Sequence, residues 1–83
     1  MKLHHERIVS DMGMRIKKVR KERGLSQKKI AETLKCDRKN IHYYESGKMG
    51  ITAKYLYDLC KLLDVSADYL LFGIGENSKE LKE

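Results

Sequence analysis

The sequence contains no proline and no tryptophan, and only one phenylalanine. No stretch approaches the roughly 18 uninterrupted apolar residues that a membrane-spanning helix needs. Residues 1–7 lack the apolar run of a secretory signal. Cysteine is scarce: Cys36 and Cys60 form no CxxC pair, sit in apolar-patterned segments, and predict reduced, buried thiols in a cytoplasmic protein. There is no glycine-rich phosphate loop, no nucleophile elbow and no inward carboxylate pair. A helical bundle of 83 residues also has little room for a water-excluding pocket. No enzyme is expected, and no cofactor. His4 and His5 resemble a metal pair only superficially, because adjacent side chains on a helix point apart. With no cysteine or carboxylate at zinc spacing, no metal is expected.

The chain does have an uneven charge. Its net +6 is concentrated between Arg15 and Lys48, where twelve Lys and Arg face four Asp and Glu. The remainder is slightly acidic. A confined basic zone is the electrostatic footprint of a polyanion binder, although a solvated surface carries the same composition.

Between the glycines the apolar residues recur at helical spacing, not at the strand period of two. Five helices in one domain follow, an all-α chain without internal repeats. Ser10 and Asp11 are the expected caps of the first, with Met12, Ile16 and Val19 on its inner face and Gly24 ending it. Ser26 caps a short second helix, with Leu25, Ile30, Ala31 and Leu34 inward. Asp37 caps the third, running from Arg38 to Glu45 and closing at Ser46 and Gly47. Thr52 begins a fourth with Leu56, Leu59, Cys60 and Leu63 on one face, and Ser66 a fifth carrying Ala67, Tyr69, Leu70, Leu71 and Phe72. Residues 1–9 read as an amino-terminal arm, 10–73 as the domain, and 74–83 as a polar, frayed tail in which a helical turn can form.

Residues 24–47 are the informative unit. Two short helices joined by about three residues cross steeply, the helix-turn-helix arrangement. The second has a narrow apolar seam, Ile41 and Tyr44, and an otherwise large polar face that globular packing does not require. A helix in a major groove does require it, because base edges present donors and acceptors to such side chains.

The segment opening Gly24, Leu25, Ser26, Gln27 with Ile30, Ala31 and Leu34, and then the run from Asp37 to Lys48, resembles the lambda-repressor-like (Xre-type) helix-turn-helix family. Residues 12–20 and 59–71 are similar to its first, fourth and fifth helices. The resemblance implies a compact five-helix fold that binds double-stranded DNA. Under it Arg38, Lys39, Asn40 and Tyr43 meet base edges, while Gln27, Lys28, His42, Ser46 and Lys48 meet phosphates. It makes Ala31 the small residue where the two helices cross and Ile41 the core residue beneath the recognition helix. An arginine can give guanine O6 and N7 a bidentate pair worth about 1–3 kcal/mol of discrimination. Tyr43 also reads as solvated surface, and Arg15, Lys17, Lys18 and Lys21 each read as solvated, with an approach to phosphates as the alternative. Lys35 and Asp64 stand where the family usually has glycine, and Ile51 replaces a frequent proline, so altered turn geometry is expected there.

A sequence-specific transcriptional repressor acting as a homodimer is the resulting expectation. Tyr69, Leu70, Phe72 and Ile74 are its expected dimer surface, since they leave more apolar area than a small bundle needs. The alternatives are an antitoxin of the same fold and a protein-interaction module that has lost DNA binding.

Overall fold

A computed structural model describes residues 4–75, and side chains from Arg7 onward. It contains five α-helices: α1 (His4–Glu22), α2 (Gln27–Leu34), α3 (Arg38–Ser46), α4 (Ala53–Leu63) and α5 (Ala67–Phe72). There is no strand among the described residues. Ser26, Asp37, Thr52 and Ser66 stand at the predicted N-caps, and each side-chain oxygen accepts a backbone N–H from the first turn.

The start of α1 differs from the expectation. Ser10 and Asp11 lie inside the helix, and the backbone predicted as an arm is helical from His4. Val9, Met12, Ile16 and Val19 form one continuous inward stripe. Burying that stripe outweighs the few tenths of a kcal/mol by which serine and aspartate disfavour a helix interior. The side chains of His4 and His5, and the turn expected in the tail beyond residue 75, lie outside the described residues.

Helix ends close with one recurring device. Gly24, Lys35, Gly47, Asp64 and Gly73 are all left-handed, with φ between 56° and 80°. At α2 the Lys35 and Cys36 amides return to the carbonyls of Glu32 and Ala31, and at α3 the Gly47 and Lys48 amides return to Tyr44 and Tyr43. Both are Schellman closures. The turn geometry thus persists at Lys35 and Asp64 without glycine. A non-glycine residue in that conformation costs on the order of 1 kcal/mol.

The core draws on every helix, with Ile16, Ile30, Ile41, Leu59, Leu63 and Leu70 essentially inaccessible. Leu70 therefore cannot belong to a dimer surface as expected. It points into the bundle at 0% exposure, leaving Phe72 and Ile74 exposed at 62% each and Tyr69 half-buried. The cysteines are free but only half-buried, correcting the expectation of buried thiols. Burial still raises both thiol pKa values, and the charge of Asp37 adds to the effect at Cys36. Cys36 is accordingly a poor redox handle.

Arg15 and Arg20 of α1, and Arg23 just beyond its end, serve the backbone of other segments. Arg15 Nη1 donates to the carbonyls of Leu70 (3.1 Å) and Leu71 (3.3 Å), so it is not the solvated residue expected. Arg23 donates to Leu63 (2.6 Å) and Asp64 (3.1 Å), and Arg20 to Leu25 (2.9 Å). Guanidinium groups thus occupy carbonyl ends that α4 and α5 leave open. Lys18 pairs with Glu22 across an exposed helical turn, while Lys17 and Lys21 face solvent as expected.

Gly13 sits where α1 crosses α3. A Cβ there would overlap the Tyr44 carbonyl oxygen and approach that of Glu45 to 2.7 Å. Those atoms are backbone and cannot swing aside. Gly13→Ala should therefore lower the unfolding free energy by about 1–3 kcal/mol, despite alanine's better helix propensity. Lys35→Gly should raise it by about 0.5–1 kcal/mol by relieving the left-handed turn. Urea denaturation followed by circular dichroism measures both.

Candidate nucleic-acid interface

The polar face of α3 follows from how the helix is pinned. Ile41, Tyr44 and Glu45 are buried, three positions that share one side at 3.6 residues per turn. The opposite side then carries Lys39, Tyr43 and Ser46, with His42 and Asn40 on its flanks, while Arg38, seven residues before the buried Glu45, is exposed as the first residue of the helix. Arg38, Lys39, His42 and Ser46 are exposed, as is Lys48 just beyond the helix. Asn40 and Tyr43 are half-buried, and the His42 and Tyr43 rings lie 6.0 Å apart, tilted at 54°. Tyr44 is core, packed 6.2 Å from the Tyr55 ring. The nine-residue helix presents its first turn with Asp37 Oδ1 accepting the Lys39 amide at 3.1 Å.

The fixed orientation of α3 rests on a buried ion pair absent from the expected site. Arg20 Nε donates to Glu45 Oε2 at 2.5 Å and Nη2 to Glu45 Oε1 at 3.1 Å. Both side chains are nearly inaccessible, at 10% and 3%. Gln27 Nε2 donates to the same Glu45 Oε1 at 3.0 Å, and Arg20 Nη1 holds the Leu25 carbonyl. Among the described residues no buried side-chain N or O atom lacks a partner. A buried charge pair is tolerated when its remaining hydrogen bonds are satisfied in this way. The sequence signal for it exists. Arg20 follows Ile16 and Val19 at helical spacing, as Glu45 follows Ile41 and Tyr44, so opposite charges occupy the inner stripes of α1 and α3.

Gln27 occupies the first position of α2, as expected, and its side chain braces the carboxyl end of α3. Lys28 beside it is exposed. Ser46 Oγ donates to the Tyr43 carbonyl at 3.3 Å, and the Lys48 amide donates to the same carbonyl at 3.0 Å, fixing the start of the following loop. Among the described residues Arg38, Lys39, Lys48 and Lys28 hold no ion pair, and with the exposed His42 they give α3 and the segments beside it an accessible basic surface. This arrangement can meet a polyanion with charge, and base edges with hydrogen-bonding groups. No group of side chains suited to a metal ion occurs among the described residues.

Residues 13–76 match a family described as a helix-turn-helix domain. The chain is 41% identical over 61 residues to the SPbeta prophage-derived uncharacterized HTH-type transcriptional regulator YonR of Bacillus subtilis (strain 168), across 74% of this chain and 56% of that protein. It is 38% identical over 69 residues to the HTH-type transcriptional regulator ImmR of the same organism, across 83% and 54% respectively. The chain thus spans about half the length of these relatives. Among solved structures it is similar to the restriction-modification controller protein C.AhdI from Aeromonas hydrophila, with TM-score 0.69, 26% identity, and coverage of 75% of this chain and 94% of that one. It is also similar to SinR, a master regulator for biofilm formation, solved in complex with DNA, with TM-score 0.67, 31% identity, and coverage of 72% and 97%.

Removing either partner of the buried pair strands a charge. Arg20→Ala and Glu45→Ala should each cost about 3–5 kcal/mol of stability. The double variant should cost clearly less than the two losses combined, because the penalty is shared. Denaturant unfolding of the four proteins in the cycle gives the coupling directly, and additive losses would mean the pair is energetically idle.

Proposed function

Because the chain belongs to the helix-turn-helix domain family, we propose that it is a sequence-specific, double-stranded-DNA-binding transcriptional repressor of the Xre type. It inserts α3 into the major groove. The observation that carries this reading is the division of α3 into a pinned side, locked by Arg20, Glu45 and Gln27, and a free side bearing Arg38, Lys39 and His42. An interaction module has no use for a basic reading face held at a fixed angle. Arg38, Lys39, Asn40 and Tyr43 take base edges, and Gln27, Lys28, His42, Ser46 and Lys48 take phosphates. The half-buried Asn40 and Tyr43 reach bases only at the margins of the contact, so Arg38 and Lys39 carry most of the discrimination.

The protein acts without catalysis, in the cytoplasm, as a homodimer. No helix among the described residues is long and apolar enough to cross a membrane. The exposed Phe72 and Ile74, with half-buried Tyr69, supply the self-association surface. Two copies then place their recognition helices about one helical turn, roughly 34 Å, apart on DNA. A single module buries a modest interface, so pairing raises affinity and specificity together.

Gel retardation across a salt series, after selection of bound sequences from a random pool, tests the reading. Arg38→Ala should relax preference at one base position by about 1–3 kcal/mol, whereas Lys48→Ala should weaken all sequences about equally. An unchanged base preference in the Arg38 variant would count against the assignment. Phe72→Glu combined with Ile74→Glu should convert the dimer to monomer in light scattering, and a strict monomer in the parent protein, with and without DNA, would sink the dimer.

A further inference from the structure

The amino-terminal turns of α1 precede the residues the family match covers, 13–76, yet they lie on the loop that leaves the recognition helix. Positions three apart along α1 meet successive points along α3 and beyond. Gly13 lies against the Tyr44 and Glu45 carbonyls, and the Ser10 Cα lies 3.0 Å from where a Cβ of Gly47 would stand. Val9 Cγ2 lies 3.7 Å from the corresponding point at Gly50. Moving toward the amino end of α1 therefore means moving off the carboxyl end of α3 and onto the 47–50 loop. The glycines matter here. A side chain at Gly47, already left-handed at φ 80°, would push α1 off this loop.

Arg7 is the next residue on the rail formed by Gly13 and Ser10, since residues three apart on a helix are surface neighbours. As the surface neighbour of Ser10, which touches Gly47, it stands at the amino-terminal edge of the α1 surface against which the 47–50 loop lies. Arg7 is exposed, and among the described residues it holds no ion pair, Asp11 one turn along included. Among the described residues it thus differs from Arg15, Arg20 and Arg23, which are committed to carbonyls or to Glu45.

We propose that Arg7 is a DNA-backbone contact, extending onto α1 the phosphate-binding ridge formed by Ser46 and Lys48. The ligand is duplex phosphate, which a guanidinium meets with a forked pair of charge-assisted hydrogen bonds. Arg7 adds grip and register without reading bases. The inference rests on the proposed reading of the protein as a duplex-DNA binder.

Fluorescence anisotropy with a mixed-sequence duplex of about 30 base pairs, titrated across a salt series, tests it through the slope of log affinity against log salt, to which each duplex phosphate contact contributes about 0.9. Arg7→Ala should flatten that slope by about one for each bound copy, hence about two for a dimer, and weaken binding several-fold at low salt, with an unchanged thermal midpoint. Arg7→Lys should keep the slope. Lys61→Ala removes the same charge from α4, where the ammonium lies over the Tyr57 ring, and should leave the slope unaltered. If the wild-type chain binds and Arg7→Ala keeps its slope, or shifts it no more than Lys61→Ala does, the contact is refuted while DNA binding stands. If the wild-type chain shows no salt-dependent binding to duplex at all, the DNA-binding reading fails and takes the contact with it.

Discussion

The guanidinium of Arg20 and the carboxylate of Glu45 meet in a space that water scarcely reaches, and most of the geometry around α3 is a consequence of that meeting. Desolvating two charges is expensive, and their attraction offsets the expense only when the remaining hydrogen bonds are made. Here Gln27 and the Leu25 carbonyl make them. The result ties α1, the turn after it, the start of α2 and the end of α3 into one network. An apolar pair of similar volume would bury as well, but its contacts carry no direction. Two directional bonds to one carboxylate constrain the rotation of α3 about its own axis, and that rotation decides whether Lys39 or Ile41 faces outward.

The short helices make such pinning necessary. At eight and nine residues, α2 and α3 are below the length at which an isolated helix is stable in water. Each depends on its capping side chain, its left-handed closure and its buried stripe. Lys35 shows how far the closure is enforced by context, since a lysine holds a conformation that glycine would adopt without strain. In that conformation the amides of Lys35 and Cys36 are satisfied by the Glu32 and Ala31 carbonyls.

Much of this was legible in the residues. Ser26, Asp37, Thr52 and Ser66 mark helix starts because a short polar side chain followed by an apolar periodicity has few other uses. The seam of Ile41 and Tyr44 fixed the outer face of α3 for the same reason. Other features were hidden for physical causes. Ser10 and Asp11 mimic caps, and only the inward position of Val9 tells that the helix continues through them. The run from Tyr69 to Phe72 has no polar contrast, so nothing local distinguishes the buried Leu70 from the exposed Phe72. Arg15 looked like solvated charge because a sequence displays cations but not the open carbonyl ends that fold back onto them.

The missing side chain at Gly13 has a mechanical meaning. At Gly13 α1 lies directly on the backbone of α3, so no side chain cushions that crossing, and interiors packed this closely transmit displacement without absorbing it. On the proposed reading, a surface mounted so stiffly leaves the adjustment to the duplex. Base steps that the protein never touches would then influence affinity through how readily they twist, narrow or bend to fit it.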